Sequence, residues 1–193
     1  MKFTLRHLFI LFFIFSISAC APKYEVEVQT ERDKKNKDFK GNGSPIPYDD
    51  RKTFEGLDYF PIDSSYYVVA MLTLSQDKEI VKLKTSQGKE RNFKIYAKAD
   101  FKLKGKPLSL NIYKAIEDGD GFSVLFNDLT NGKTTYEVGR YIEPEINGLR
   151  AILDFNRAYN PYCMYDKKYD CPIPPAENFL NIEVEAGEKV YKK

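Results

Sequence analysis

From about Tyr66 to Phe155, apolar and polar side chains alternate with a period of two. Val81 and Leu83 alternate with Lys82 and Lys84, and Phe93, Ile95 and Ala97 with Lys94, Tyr96 and Lys98. Phe101 and Leu103 alternate with Lys102 and Lys104, and Leu108, Leu110 and Ile112 with Ser109, Asn111 and Tyr113. Successive side chains of a strand point to opposite faces, so each run presents one apolar and one polar face. Turn chemistry separates the runs at Gln87-Gly88, Gly105-Lys106-Pro107, Asp118-Gly119-Asp120-Gly121, Asn131-Gly132 and Asn147-Gly148. Gly and Asn supply the positive φ that tight hairpins need. The pattern predicts a mainly β fold. It is a single antiparallel meander of about eight strands, closing into a partly open barrel or sandwich.

The flanks read differently. The charged stretch from about Thr30 to Lys40, stopped by Gly41, predicts a short N-terminal helix. Residues 20–29 read as a tether, and residues 30–193 as one β-rich domain. Beyond Leu153, Asn156 to Tyr169 is rich in Asn, Tyr and Asp, and Pro172-Ile173-Pro174-Pro175 follows. Prolines at that density keep the chain extended and remove backbone donors. This predicts a long, stiff, Pro/Tyr-rich C-terminal loop, ordered by its aromatic content.

The first residues carry a targeting signal. Lys2 and Arg6 precede the apolar run Leu8 to Phe15, and Ile17-Ser18-Ala19-Cys20 follows. The 12 residues from Leu8 to Ala19 fall short of the roughly 20 that span a bilayer as a helix. A basic head, a short apolar stretch and a small-residue exit make a secretory signal, and Ile17-Ser18-Ala19-Cys20 resembles a bacterial lipobox. Residues 1–19 then form a lipoprotein signal peptide, and Cys20 takes the lipid. Two or more acyl chains, at roughly 0.8 kcal/mol per buried CH₂, anchor durably where one would not. The expected location is the cell envelope, with the membrane as partner. Ala21 in place of Asp favours the outer membrane.

Cleavage there changes what the composition allows. His7, the one histidine, leaves with the leader, which excludes Ser-His-Asp triads, Cys-His dyads and His-ligated metals. Lys2 and Arg6 leave too, so 28 basic and 28 acidic side chains remain. That balance carries no nucleic-acid footprint. Lys34-Lys35-Asn36-Lys37 reads as a solvated face. No cofactor and no metal site is expected. Cys163 and Cys171 would close a nine-residue loop. In an oxidising compartment that reads as a disulfide adding about 2.5 kcal/mol, with two reduced thiols as the alternative.

The candidate chemistry gathers where the last long strand meets its loop. A hairpin through Asn147-Gly148 would bring Arg140 near Asp154 and Phe155. With Asn156, Arg157 and Asn160 these make a polar cluster at a barrel mouth, suited to a carboxylate, phosphate or amide ligand. The competing reading pairs Arg140 with Asp154 and uses the asparagines to tie down loop backbone. Tyr159, Tyr162, Tyr165 and Tyr169 offer a stacking surface for sugars or peptides, or else simply pack over the prolines.

Longer segments carry a resemblance. They are Phe126 to Tyr136, Gly139-Arg140-Tyr141, Asp154 to Pro161, Cys171 to Pro175 with Asn178, and Ala186-Gly187-Glu188-Lys189. Together with Phe54 to Leu57 and Tyr59-Phe60-Pro61, they resemble the family catalogued as domain of unknown function 1684. The likeness runs from about Arg32 to Lys189, and the family implies no established activity or cofactor.

The expected role is an envelope lipoprotein that binds a small ligand or peptide. A structural or assembly role is the alternative, and an enzyme using carboxylate, Tyr or Lys groups is a third class. Feeding a palmitate analogue to expressing cells should label the protein and leave Cys20→Ala unlabelled. Label persisting on Cys20→Ala would defeat the anchor.

Overall fold

The computed structural model describes residues 23–76, 80–116 and 121–192. The expected leader, the expected lipid site Cys20 and the turn at Asp118-Gly119-Asp120 lie outside them.

Helix α1 (Lys23–Lys40) contains no Gly or Pro, carries Glu25 in its first turn and Lys37 and Lys40 in its last, and so agrees with its own dipole. It stops at Gly41 as expected but begins seven residues before Thr30, so residues 23–29, expected as tether, are helical. The reason is its docking face. Tyr24, Val28, Arg32, Lys35 and Phe39 recur at helical spacing, and only Val28 and Phe39 are buried apolar groups. Polar side chains do most of the holding, which hides the helix from a hydrophobic-period reading.

Among the described residues nine strands follow: β1 (Tyr67–Leu74), β2 (Ile80–Lys84), β3 (Glu90–Leu103), β4 (Lys106–Ala115), β5 (Phe122–Asp128), β6 (Arg140–Ile142), β7 (Glu145–Asn147), β8 (Arg150–Asp154) and β9 (Phe179–Leu180). The sheet order is β6-β5-β4-β3-β1-β8-β7, with β2 on β3 and β9 on β5. Every pairing is antiparallel except β5 with β9. The fold is thus mainly β, as the period-two pattern predicts.

The topology shows how the sheet curls. Strands β6 and β7 stand at opposite ends of the order, yet only Glu143 and Pro144 connect them. The two edges must therefore come round to meet. They do not zip together, because Tyr159 occupies the open edge of β6, its N–H and C=O exchanging bonds with Tyr141 at 3.0 and 2.9 Å. The result is a curled half-barrel. A bulge in β3 at Tyr96, where the register to β4 shifts, helps the long strand bend.

Two asparagines complete the framework. The β4–β5 ladder is short, and Asn178 fills the gap beyond it. Its Oδ1 accepts the Asn111 N–H at 2.7 Å, and its Nδ2 donates to Asn111 O and Leu125 O at 2.9 and 2.7 Å. Asn156 does the same for Asp63, accepting its N–H at 3.0 Å and donating to its C=O at 2.8 Å. The expected loop after Leu153 is ordered, with single 3₁₀ turns at Phe155–Arg157, Tyr162–Met164 and Ala176–Asn178.

The main core lies inside the curl, where Tyr66, Phe101, Phe126 and Phe155 meet Val184 and Ala186 from the C-terminal segment. A second cluster of Phe39, Ile46, Phe54, Leu57 and Tyr165 sits under α1. Gly187 holds the C-terminal segment against the loop at φ 75°, and a Cβ there would stand 2.5 Å from Ala158 O and 2.7 Å from Phe155 O. Gly187→Ala should therefore destabilise by at least ~2 kcal/mol. Gly43→Ala, with nothing within 4 Å of the new methyl, should leave denaturant midpoints unchanged.

Candidate functional site

The five residues expected at a barrel mouth do not form one open cluster. Arg140 is fully buried, and its Nη2 pairs with Asp128 Oδ2 at 2.8 Å, not with Asp154. The expected hairpin through Asn147-Gly148 forms, with Glu145 opposite Ile152, but it stops at Pro144, and β6 pairs with β5 instead, placing Arg140 opposite Phe126. From there the guanidinium donates to Val184 O at 2.8 Å, Glu188 O at 3.3 Å and Ala186 O. The pairing of Arg140 with Asp154 in the competing reading is therefore not formed.

Asp154, Asn156 and Arg157 do come together, but helix α1 occupies them. Asp154 accepts from Tyr24 Oη at 2.8 Å and from Arg157 Nη1 at 2.7 Å. Arg157 also clasps Glu31 at 2.7 and 2.9 Å and Glu27 at 2.9 Å. Burial first, then Asp154, pushes the Tyr24 phenol well up, so it stays a neutral donor. Arg32 reaches through to Phe60 O and Asn156 O at 2.9 and 3.1 Å. Asn160 ties the loop to the C-terminus, its Nδ2 donating to Lys189 O at 2.8 Å. The backbone-tying reading of the asparagines is what the structure has.

Glu188 organises the space beneath them. It is 1% exposed, yet accepts from Asn160 N–H at 2.8 Å, Tyr165 Oη at 2.9 Å and Lys35 Nζ. Lys35 is half-buried over the Tyr159 ring at 4.9 Å, whereas Lys34 and Lys37 remain solvated. The charge run is thus a solvated face with one inward member.

A cleft of about 550 Å³ opens beside this group, within the range of small-ligand sites. Its walls are Tyr141, Tyr159, Tyr162, Tyr169 and Pro172, with Lys35, Arg91 and Glu143 at its polar edge. A second hollow of about 490 Å³ continues it toward Phe93 and Phe122, sharing Arg91, Tyr141, Glu143 and Tyr159. The rings pair edge to face, Tyr141 with Tyr159 at 5.8 Å and Tyr162 with Tyr169 at 5.3 Å. Tyr159 Oη donates to Glu143 at 3.2 Å, and Tyr141 Oη donates to Pro172 O. Burial, then the charge of Glu143, raises the Tyr159 phenol, and burial foremost raises Tyr141. Both rings are held by these bonds and line the cleft.

The stacking surface expected of the tyrosines is therefore present in Tyr159, Tyr162 and Tyr169, while Tyr165 is buried under Phe39 at 5.1 Å. Sequence reasoning missed Arg91, Lys35, Tyr141 and Glu143. One signal pointed to Arg91, which lies two positions before Phe93 on the same strand face. Cys163 and Cys171 come into contact as free thiols, with no bond between them. Among the described residues, no three His, Cys, Asp or Glu side chains converge as metal ligands.

Comparison with known proteins places the geometry in a family context. The profile of a family described as a protein of unknown function (DUF1684) matches residues 52–189. The solution NMR structure of an uncharacterised protein from Haloarcula marismortui is similar, with a TM-score of 0.66 and 36% identity. The match covers 86% of this chain and 94% of that one. No curated protein matches the chain.

The buried ion pair generates a stability prediction. Arg140→Ala strands Asp128 and three carbonyls, and should cost about 3–5 kcal/mol, a melting drop of roughly 10 °C. Arg140→Lys keeps the charge but lacks the planar fork, so it should recover only part of that loss in calorimetry.

Proposed function

This chain belongs to the DUF1684 family, and we propose that it is a lipid-anchored envelope protein whose tyrosine-walled cleft binds a small ring-bearing ligand with polar edges. The cleft carries the reading. Fixed aromatic faces supply apolar contact at low ordering cost, and Arg91 and Lys35 opposite Glu143 supply hydrogen bonds of both signs. Of the two carboxylates that line the cleft, Glu143 is exposed and Asp170 is held below its usual range by its hydrogen bonds to Thr85 and the Gln87 N–H. Neither is set as a general acid, and this favours recognition over chemistry. Anchoring is supported by the lipobox at Cys20. Cys20 stands three residues before α1, so at most about 11 Å of chain would separate the acyl group from the folded domain.

An assembly role draws on a different observation. Tyr67, Val69 and Met71 point outward from β1, a strand already paired on both sides, and leave an apolar stripe on the sheet's outer face.

Thermal-shift measurements on the chain from Ala21 onward test the cleft, with oligosaccharides, cyclic carboxylates and proline-containing peptides as probes. One small-ligand class should raise the melting point with the logarithm of its concentration, a stabilisation of about 2.7 kcal/mol at a hundredfold excess over Kd. Tyr162→Ala and Arg91→Ala should each weaken that binding tenfold or more. Stabilisation only by peptides, by no probe, or equally in both variants would overturn the small-ligand reading.

A further inference from the structure

Cys163 and Cys171 meet at the wall of this cleft. Cys163 is buried in the turn Tyr162–Met164, while Cys171 is half-buried and lines the cleft itself. The Cys163 N–H donates to Cys171 Sγ at 3.2 Å, and both sulfurs are free.

Neither backbone needs a bond between the sulfurs to stay in place. The Cys171 N–H donates to Ser86 Oγ at 3.1 Å, and the Ser86 N–H donates back to Cys171 O at 2.8 Å. The Ile173 N–H donates to Lys84 O at 2.7 Å, and Asp170 Oδ1 accepts the Gln87 N–H at 3.0 Å. Inside the loop, Tyr165 N–H closes on Tyr162 O and Tyr169 N–H on Asp166 O. A segment already fixed in this way gives up little freedom on bonding, so reduced and oxidised forms are close in fold.

We propose that Cys163 and Cys171 are a reversible dithiol–disulfide couple, oxidised by a small disulfide that enters through the cleft. The sulfur environment supports it. The Cys171 thiol, then the hydroxyls of Ser86 and Tyr136, lowers Cys163 to about 6, and the shared proton holds Cys171 up. The pair thus keeps one proton between two sulfurs. Cys163, the buried thiolate, takes that proton as Cys171, the sulfur facing the cleft, attacks one sulfur of R–S–S–R and expels R–S⁻. The expelled thiolate removes the proton from Cys163, which then attacks the Cys171 sulfur of the mixed disulfide and releases the second R–S⁻. Two cysteine sulfurs are oxidised, and one R–S–S–R is reduced to R–SH and R–S⁻.

The couple depends on its own sulfurs and stands apart from ligand binding in the cleft. Oxidised and reduced glutathione, mixed in graded ratios without oxygen, are the probe. Alkylation and peptide mapping then read Cys163 and Cys171 separately from Cys20. The expected result is loss of both thiols together, without a retained adduct, reversed by reduced glutathione. The near-ultraviolet dichroism of the tyrosines should follow the same midpoint. Cys163→Ser should trap a glutathione adduct on Cys171 and Cys171→Ser should resist. A stable adduct on the unaltered protein, no oxidation, or a bridge that reduced glutathione does not reopen would overturn the couple. The reverse trapping pattern would overturn the assignment of Cys171 as attacker.

Discussion

The buried guanidinium of Arg140 fixes the relation between parts of the chain that have no ladder between them. From β6, with Asp128 at the end of the neighbouring β5 as its counter-ion, it reaches the C-terminal segment, which has no ladder with β6, through the carbonyls of Val184, Ala186 and Glu188. Asp128 is held from its other side by Thr130, whose N–H and Oγ donate at 2.8 and 2.6 Å, and by the Val184 N–H at 3.2 Å. An ion pair this deep is sustained only when its remaining donors and lone pairs find partners. Here carbonyls of an irregular segment take both terminal nitrogens, Nε alone having no partner, so the charge specifies where that segment lies. Apolar packing by Val184 and Ala186 then fills the curl.

The C-terminal segment in turn delivers Glu188 to the underside of helix α1. One carboxylate gathers Lys35 from the helix and Asn160 and Tyr165 from the loop. Asp154, Arg157 and Asn156 repeat the arrangement nearer the helix start. The helix is thus docked by charge and hydrogen bonding at both ends, with Val28 and Phe39 as its apolar pins. Exposed ion pairs are weak singly, but those with Glu188 and Asp154 are shielded by the helix they hold.

The strands and the helix stop at Gly41 were legible because they rest on local rules: alternation and a terminating glycine. The ordered loop was legible because its tyrosines and asparagines are residues that need partners. The pairing of Arg140 was not, because it depends on a non-local choice. Two residues, Glu143 and Pro144, send the chain across the seam instead of continuing one hairpin, and Arg140 thereby faces Phe126 rather than Phe155. The early start of α1 was hidden for a related reason, since a polar docking face has no hydrophobic period. Lys35 looked like its neighbours Lys34 and Lys37 until Glu188, 153 positions away, distinguished it.

The same seam explains why the cleft lies where it does and the expected cluster is closed. A curled sheet whose edges meet without a ladder leaves backbone and side chains that the barrel cannot satisfy. Tyr159 covers the edge of β6 with one residue's bonds, too little to fill the space between that edge and the Cys163–Cys171 loop. Tyrosines suit this border because their rings pack while their hydroxyls reach Glu143 and Pro172 O. The polar residues expected at a mouth lie deeper, where full pairing is the condition of burial. Arg140, Asp154 and Asn156 hold the frame, and the seam between Tyr141 and Tyr169 stays open as the cleft.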